Sequence, residues 1–454
     1  MNSIEKRAIA GVGGIFALRM IGLFMIVPVF SVYGSDYAQA TPFLIGLAVG
    51  IYGLGQAIFQ IPMSLAADRF PRKPMILFGL ILFALGGILA ATADNIYQVI
   101  IGRALAGSGA VSAVLMALLA DLTREQVRTK AMATMGLTIA TSIMLAFAIG
   151  PMLVASLGIA GLFWLTAAFA VCAMLLLAFI PTPLRVLTHN LADKSIVQQL
   201  KEVLAIGDLN RLHLGIFALH LTMTAIFVIV PKQLSDVLGL SVRQQGYVYM
   251  PLLIVGFAIA LPFIIIAEKR QKMRQVFLAA IALMAAALGL LAFDSQLGVG
   301  LIIGLGLYFI GFNLLEATIP SWISKKAPVA NKATAMGLNS SSQFFGAFVG
   351  GAMGGLLLTQ STLLAWGALA LVMAIALALI FPIRQPPYLS STTLKIPNNT
   401  DIQSWSKRIM NIDGVDDIVV MASEQVAYLK LDKQRLTDTS RQQLSQLTDT
   451  VLDI

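Results

Sequence analysis

Long apolar stretches alternate with short polar breaks from residue 8 to residue 382. A helix that crosses a lipid bilayer needs about 20 mostly apolar residues, and the stretches reach that length. A transmembrane β-barrel would instead show alternating segments of about ten residues. The pattern therefore predicts an all-α membrane protein with twelve spans, at 8–33, 42–67, 74–92, 97–120, 131–155, 159–180, 212–234, 246–267, 275–293, 298–323, 333–358 and 361–382.

Composition narrows the class of protein further. Of the 454 residues, 58% are hydrophobic and 12% are charged, whereas a soluble protein carries about 25% charged residues. A water-soluble, disordered or collagenous chain is therefore excluded. The single cysteine, Cys172, lies in an apolar stretch, which excludes a disulfide framework and a thiolate metal site.

The basic residues are distributed unevenly between alternate loops. The N-terminus, the even-numbered loops and the chain just after the last span hold 20 Lys and Arg, whereas the odd-numbered loops hold only Lys232 and Arg243. Basic loops stay in the cytoplasm, so we expect both termini there. This asymmetry also accounts for the net charge of +9 without any nucleic-acid partner.

The chain contains an internal repeat with an offset of about 200 residues. Pro62–Arg69 aligns with Pro262–Lys269, and Lys130–Gly136 resembles Lys332–Gly337. Paired halves of this kind let two helical bundles rock around a site between them, as alternating access requires. The predicted units are an N-terminal six-helix bundle (1–182), a cytoplasmic linker (183–210) and a C-terminal six-helix bundle (211–384).

Two motifs carry a family resemblance. Ser64–Lys73, between spans 2 and 3, resembles the loop signature of the major facilitator superfamily, with Ser64 and Pro71 where the family usually has glycine. Arg103–Gly109 in span 4 resembles a second motif of that superfamily, with Ala106 in place of glutamine. The resemblance covers essentially the whole chain and implies the major facilitator fold.

Further segments resemble the drug:proton antiporters of that superfamily. Gly150–Pro151 in span 5 resembles their antiporter motif, although Val154–Ala155 replace the usual glycine pair. Phe16–Met20 and Met116–Glu125 resemble members that carry an extra soluble domain. None of these motifs specifies a substrate.

Charged residues cluster at the cytoplasmic side of spans 2 to 4. The resemblance implies that the cluster is a conformational latch, which closes against span 11 in the outward-open state. Its expected members are Asp68, Arg69, Arg72, Lys73 and Asp121, with Asp121 as a partner for Arg72. The alternative is a topology anchor of surface charges, worth well under ~1 kcal/mol per pair.

Four ionisable residues lie well inside spans: Arg19, Arg103, His220 and Glu316, in spans 1, 4, 7 and 10. A charge at the bilayer centre costs about 2.5–3.5 kcal/mol on insertion scales. Each of these four residues is therefore expected to have a structural or functional role. In the superfamily these spans line the central cavity. A carboxylate in a low-dielectric cavity can bind and release a proton, and histidine titrates near neutral pH. We therefore expect Glu316 and His220 to couple protons, unless Glu316 is permanently paired.

The two arginines have more than one possible role. Arg19 holds an anionic substrate group, biases a nearby acid, or binds backbone carbonyls near Gly22 and Pro28. The resemblance assigns Arg103 to proton transfer, and a structural tie between helices is the alternative. Both are included among the proton-coupling candidates.

Polar and aromatic residues at helical spacing predict a substrate cavity. The candidates are Tyr33, Tyr52, Gln56, Gln60, Asn313, Asn339 and Gln343. For each aromatic residue alone, helix packing or lipid contact is the competing interpretation.

The chain after residue 384 changes in composition. A proline-containing linker (385–394) precedes residues 395–454, which hold seven basic and nine acidic residues. Alternation predicts strands at Thr392–Ile396, Val415–Met421 and Gln425–Leu431 and helices at Ile402–Met410 and Thr437–Leu452. The order βαββα predicts a small α+β ferredoxin-like cytoplasmic domain. Its Pro397–Thr400 loop lacks cysteine, so neither a metal nor another cofactor is expected.

Together these features predict a proton-coupled secondary transporter of the cytoplasmic membrane, an efflux antiporter for small organic molecules and not an enzyme. Its expected partners are its substrate, protons and the lipid bilayer, and we expect a monomer. One alternative is proton-coupled uptake of a sugar or an anion. Another is a transport-inactive sensor that acts through its C-terminal domain.

Overall fold

The computed structural model describes residues 3–182, 196–294, 296–328, 331–386, 389–396, 401–421, 426–432 and 436–448. Its helices are α1 (Ser3–Phe24), α2 (Val27–Tyr33), α3 (Pro42–Arg69), α4 (Arg72–Ala91), α5 (Ile96–Ser108), α6 (Ser112–Asp121), α7 (Glu125–Phe179), α8 (Ile196–Leu204), α9 (Gly207–Leu238), α10 (Val242–Lys269), α11 (Met273–Asp294), α12 (Gly298–Lys326), α13 (Lys332–Leu357), α14 (Thr362–Ile380), α15 (Ile402–Met410) and α16 (Asp438–Thr448). The strands are β1 (Leu389–Lys395), β2 (Val415–Met421) and β3 (Val426–Asp432).

Ten segments of the described chain are long and apolar enough to cross a membrane, judged by length and composition. They coincide with predicted spans, with two differences. The segment Lys130–Phe179 covers two predicted spans, and α13 is not among the ten. The polar run Asn339–Gln343 lowers the hydropathy of α13 and accounts for its omission.

The long helix α7 is two helices joined end to end. Its 55 residues would extend about 80 Å as one straight helix, far beyond the hydrocarbon core of a bilayer. Gly158 interrupts it with φ +69° and ψ 175°, a conformation that glycine adopts without a Cβ clash. The two predicted spans on either side of Gly158 are therefore separate helices.

Two predicted single spans are each broken into two helices. Span 1 divides at Met25 and Ile26, where Pro28 stands in the first turn of α2, and proline is well suited to a helix start. Span 4 divides between α5 and α6, at Gly109 to Val111. A broken helix leaves backbone carbonyls without an intrahelical partner, and Gly109 provides one for the candidate site.

Helix α13 packs between α3 and α9. A Cβ at Gly46 of α3 would lie 2.2 Å from the Gly351 carbonyl oxygen and 2.6 Å from the Gly355 Cα. On the other side, a Cβ at Gly350 would lie 2.1 Å from the Leu221 carbonyl oxygen of α9. Because backbones approach this closely only where side chains are absent, α13 connects the N-terminal half (α1–α7) with the C-terminal half (α9–α14).

Part of the predicted polar linker is helical. Helix α8 lies within it, and α9 begins at Gly207 rather than near residue 212. Glu202 of α8 accepts a hydrogen bond from the Asn331 amide at 2.8 Å, and Gln199 accepts one from Thr334 at 2.8 Å. The structure thus places α8 at the start of α13, a contact that the sequence did not reveal. Residues 183–195 of the predicted linker lie outside the described part of the chain.

The C-terminal region contains an antiparallel sheet in the order β1-β3-β2, with α15 and α16. Strand β2 and helix α15 have the predicted bounds, and β1 begins three residues earlier than expected. The predicted last turn of the final helix, residues 449–452, lies outside the described part of the chain. Leu394 and Leu429 of the sheet are buried together with Trp405 and Ile409 of α15. The Pro397–Thr400 loop lies outside the described residues.

Candidate functional site

Arg19 lies inside the N-terminal half and is only 2% exposed. Its guanidinium donates to the Gly109 carbonyl at 2.9 Å, to Ser112 Oγ at 3.3 Å and to Tyr52 Oη at 3.4 Å. The Phe83 ring lies 5.5 Å from its Cζ. The acceptor carbonyl belongs to the break in span 4 and not to the region of Gly22 and Pro28, so that part of the prediction is wrong.

Arg103 and the predicted glutamines lie in the same buried region. Arg103 is 4% exposed and donates to the Val49 carbonyl at 3.0 Å. Gln56 donates to Tyr52 Oη at 2.9 Å, and Gln60 is buried as well. The Arg19, Tyr52 and Gln56 side chains are buried among helices of the N-terminal half. The structure therefore brings Arg19, Tyr52 and Gln56 together as a packed polar cluster within one bundle.

We expect Arg19→Lys to destabilise the protein by about 2 kcal/mol, the scale of a hydrogen bond to a charged group. An ammonium group is a compact point charge and cannot reach Gly109, Ser112 and Tyr52 together. Thermal unfolding of the purified protein in detergent measures the effect. The matched control is Arg243→Lys, which changes an exposed arginine at the start of α10. Equal unfolding temperatures for the two variants would contradict this prediction.

His220, Glu316 and Gln343 meet in the C-terminal half, from α9, α12 and α13. His220 Nε2 lies 3.6 Å from Glu316 Oε2 and 2.8 Å from Gln343 Nε2. On its other side, His220 Nδ1 lies 3.2 Å from the Ile216 carbonyl oxygen. The His220 side chain is 7% exposed and that of Glu316 is 39% exposed. A buried imidazole thus contacts a carboxylate that solvent can reach.

The other cavity candidates lie at different depths. Asn313, one turn before Glu316, donates to its own helix at the Phe309 carbonyl, 2.7 Å away. Asn339 is buried on α13 one turn before Gln343, and its Oδ1 has no hydrogen-bond partner among the described residues. Tyr33 is half-buried at the end of α2 and packs against the main hydrophobic core, away from the break in span 1.

The two halves pack closely at the end of the bundle where α3 begins. Besides Gly46 against α13, the Phe147 and Phe227 rings approach to 4.2 Å between centroids. Gly150 of the antiporter motif packs on the broken span 1, since a Cβ there would lie 2.2 Å from the Met25 carbonyl oxygen. Pro151 follows it inside α7. We call this end of the bundle the closed end.

The opposite end carries the basic residues and several ion pairs. Arg72 Nε lies 3.2 Å from Asp121 Oδ2, as the sequence predicts, and Lys73 is half-buried beside Arg72. The side chains of Asp68 and Arg69 lie outside the described part of the chain. Four ion pairs described at this end each lie between two segments of one half, and a fifth, Arg211–Asp208, lies within α9; the four are Arg72–Asp121, Arg124–Glu5, Lys325–Glu268 and Lys326–Asp208. We call it the basic end.

The Arg124–Glu5 pair is a contact that sequence analysis missed. Glu5 is 1% exposed, and the Arg124 Nε and Nη2 atoms lie 2.7 and 3.2 Å from its two carboxylate oxygens. The hydrogen bond from Arg124 to Glu5, together with the charge of the carboxylate, raises the pKa of Arg124 above its ordinary value. The pair joins the start of α1 to the start of α7, which no local pattern in the sequence indicates.

Comparison with known proteins identifies the family. A model described as Major Facilitator Superfamily matches residues 12–351 and, again, residues 212–411. The chain belongs to the Major Facilitator Superfamily. The predicted resemblance is confirmed, and the second match begins close to the start of the C-terminal half.

Relatives within the superfamily agree with this assignment. The inner membrane transport protein YajR of Escherichia coli K12 is 40% identical over 440 residues, 96% of this chain and 96% of that protein. The multidrug resistance protein MdtH of Aeromonas hydrophila is 25% identical over 355 residues, 75% of this chain and 85% of that protein. A D-xylose-proton symporter structure superimposes with a TM-score of 0.66 at 15% identity, covering 84% of this chain and 97% of that one. The chain is therefore a membrane transporter of this superfamily.

Proposed function

We propose that the protein is a proton-coupled antiporter that exports small organic molecules across the cytoplasmic membrane by alternating access. The observation that carries the proposal is the Glu316 carboxylate. It lies 3.6 Å from the buried His220 and is itself 39% exposed. A carboxylate that solvent can reach, beside a second titratable group, can take up a proton on one side of the membrane and release it on the other.

The topology we propose has twelve spans and two cytoplasmic termini. Counting α7 as two helices at Gly158, and α13 as a span despite its polar run, adds two to the ten apolar segments. The excess of Lys and Arg at the basic end supports placing that end in the cytoplasm. The proposed units are the two bundles 1–182 and 211–384, the linkers 183–210 and 385–394, and the domain 395–454.

The arrangement of contacts supports an inward-facing state. The closed end packs α3 directly on α13, and at the basic end the pairs Arg72–Asp121 and Lys325–Glu268 each lie within one half. In the alternate state we propose that Asp68, Arg69, Arg72, Lys73 and Asp121 close against α13 as a latch. Breaking and remaking that contact would alternate access to Glu316.

Export is favoured by the similarity to a multidrug resistance protein over 75% of this chain. Uptake is the alternative, because the D-xylose-proton symporter shares the fold. The candidate substrate residues Tyr52, Gln56 and Gln60 are buried in this state. We therefore propose that Glu316, Asn313 and Gln343, which are half-buried, form the accessible side of the substrate cavity, with Asn339 buried behind them on α13. We also propose that the transporter acts as a monomer.

Reconstitution in lipid vesicles with an imposed pH gradient tests the function. The probes are ethidium and tetraphenylphosphonium as organic cations, tetracycline as a drug, and D-xylose as a sugar. We expect movement of at least one cation or drug to be accompanied by opposite proton flux, reported by a pH-sensitive dye inside the vesicles. Proton flux in the same direction as D-xylose would favour uptake. Absence of proton flux with every probe would overturn the proposal.

The C-terminal domain distinguishes a transporter from a sensor. Its strand order β1-β3-β2, with helices between and after the strands, supports a ferredoxin-like domain with a regulatory or docking role. We expect deletion of residues 395–454 to leave transport detectable in the same vesicles, because the proposed proton site lies in α9, α12 and α13. Loss of all function in a deletion variant that is still folded, as shown by its thermal unfolding, would support the sensor alternative.

A further inference from the structure

The hydrogen bonds around His220 define which of its ring nitrogens carries a proton. The Ile216 carbonyl, 3.2 Å from Nδ1, can only accept a hydrogen bond, so Nδ1 carries the hydrogen. In the neutral ring Nε2 is then an acceptor, and the Gln343 amide nitrogen donates to it at 2.8 Å. The contact between Gln343 and His220 in this structure is therefore that of a neutral histidine.

Protonation of His220 would make this contact unfavourable. Nε2 would then carry a hydrogen, so two donors would face each other at 2.8 Å. Two acceptors are within reach: the Gln343 carbonyl oxygen after rotation of the amide, and Glu316 Oε2, 3.6 Å away and without a hydrogen-bond partner among the described residues. Either choice ends the present hydrogen bond from the Gln343 amide nitrogen to His220 Nε2.

Gln343 lies on the helix that contacts both halves. Its neighbour Phe344 presents its carbonyl oxygen 2.4 Å from the position that a Cβ at Gly53 of α3 would occupy. Three residues after Gln343 on α13, a Cβ at Gly346 would lie 2.3 Å from the Phe217 carbonyl oxygen of α9. A change at Gln343 is therefore made next to the contact between the N-terminal and C-terminal halves.

Glu316 is the acidic group described within ion-pair distance of His220. The Tyr308 hydroxyl of α12 contacts Thr222 Oγ1 at 3.0 Å, two residues from His220 on α9. The other titratable or charged side chains on the helices that meet at His220 lie about two turns or more along the chain from His220, Glu316 or Gln343; they are Asp208, Arg211, His213, Lys232 and Asp236 on α9, Lys325 and Lys326 on α12, and Lys332 on α13. The Phe312 ring, 5.9 Å from the imidazole, adds an apolar neighbour.

We propose that Gln343 is the positioning residue that transmits the protonation state of His220 to α13, and so to the contact between the two halves. The inference rests on the proposed function, in which Glu316 exchanges protons with solvent and His220 is the second titratable group beside it. It changes the role of Gln343 from a substrate-cavity candidate to a connection between the proton site and the moving helix.

The experiment combines two measurements on the full chain in lipid nanodiscs. Nitrogen-15 NMR of labelled histidine reports the protonation of His220 directly, because the chain has three histidines and His220→Asn identifies the resonance. Spin labels at Lys130→Cys and Arg270→Cys, both exposed at the basic end, report the distance between halves in a Cys172→Ala background. Both are followed between about pH 5 and pH 8, the range in which histidine changes charge.

In the wild type we expect His220 to titrate from the Nδ1–H tautomer, and the ratio of the two conformations to change by about 2- to 10-fold, the range that one hydrogen bond supports. In Gln343→Met, which keeps the length of the side chain and removes the amide, His220 still titrates but the ratio changes by less than about 2-fold. Gln343→Glu, which offers only an acceptor, gives at high pH the distances that the wild type shows at low pH. The control Ser342→Ala, on the adjacent face of α13, keeps the wild-type response.

A Gln343→Met variant with the full wild-type response would overturn the inference and leave proton coupling intact. A wild type in which His220 does not titrate, and whose distances do not respond to pH, would overturn the proposed function and the inference together. The two failures are thus distinguishable.

Discussion

Glu316→Gln is expected to reduce substrate transport driven by a pH gradient to the level of empty vesicles. Glutamine has nearly the same shape as glutamate but cannot bind and release a proton, so the exchange between proton and substrate loses its carrier. The neighbouring His220 does not replace it, because the imidazole is 7% exposed whereas the Glu316 side chain is 39% exposed. The measurement is accumulation of the transported probe in vesicles with and without the gradient.

Exchange of labelled for unlabelled probe, with no gradient imposed, separates coupling from folding. This exchange needs the halves to alternate but no net proton movement, so Glu316→Gln should retain it. The matched control is Asp236→Asn, the same chemical change at an exposed carboxylate near the end of α9, and its gradient-driven transport should equal that of the wild type. Undiminished accumulation by Glu316→Gln would contradict proton coupling at this residue.

The sequence predicts much of this site because ionisable residues inside spans are few. Glu316 and His220 stand out as charges that the bilayer disfavours, and the structure brings them together. Arg72 and Asp121 are likewise predicted as partners, since each lies at a helix end on the same side of the membrane. In each case the depth of a residue in its span is sufficient for the prediction.

The contacts that the sequence does not predict are those that depend on how one helix is rotated against another. Gln343 has the polar spacing of a cavity residue, yet its contact with His220 requires the facing of α9 and α13. The breaks at Met25 and Gly109 are hidden because the apolar pattern continues across them. As a result, the one alternative for Arg19 that involves backbone carbonyls places them near Gly22 and Pro28, whereas the Gly109 carbonyl accepts its hydrogen bond.

Gly46→Val is expected to shift the conformational equilibrium away from the inward-facing state by about 100-fold. A Cβ at this position would lie 2.2 Å from the Gly351 carbonyl oxygen and 2.6 Å from the Gly355 Cα and nitrogen, and backbone atoms cannot move aside as a flexible side chain can. Overpacking typically costs about 1–3 kcal/mol. At ~1.4 kcal/mol per tenfold change in population, the upper end of that range gives the expected shift. The proposed outward-facing state separates α3 from α13 here and avoids the cost.

Spin labels at Asp94→Cys and Gln360→Cys, both exposed near the closed end, measure this shift in a Cys172→Ala background. The matched control is Gly337→Val, the same substitution in α13 at a position where a Cβ meets nothing within 4 Å. That variant should keep the wild-type distances, because no backbone is displaced. If Gly46→Val also kept them, the close packing of α3 on α13 would not be what holds this end closed. Longer distances in Gly46→Val alone would mean that the missing side chains at Gly46, Gly351 and Gly355 stabilise the inward-facing state directly.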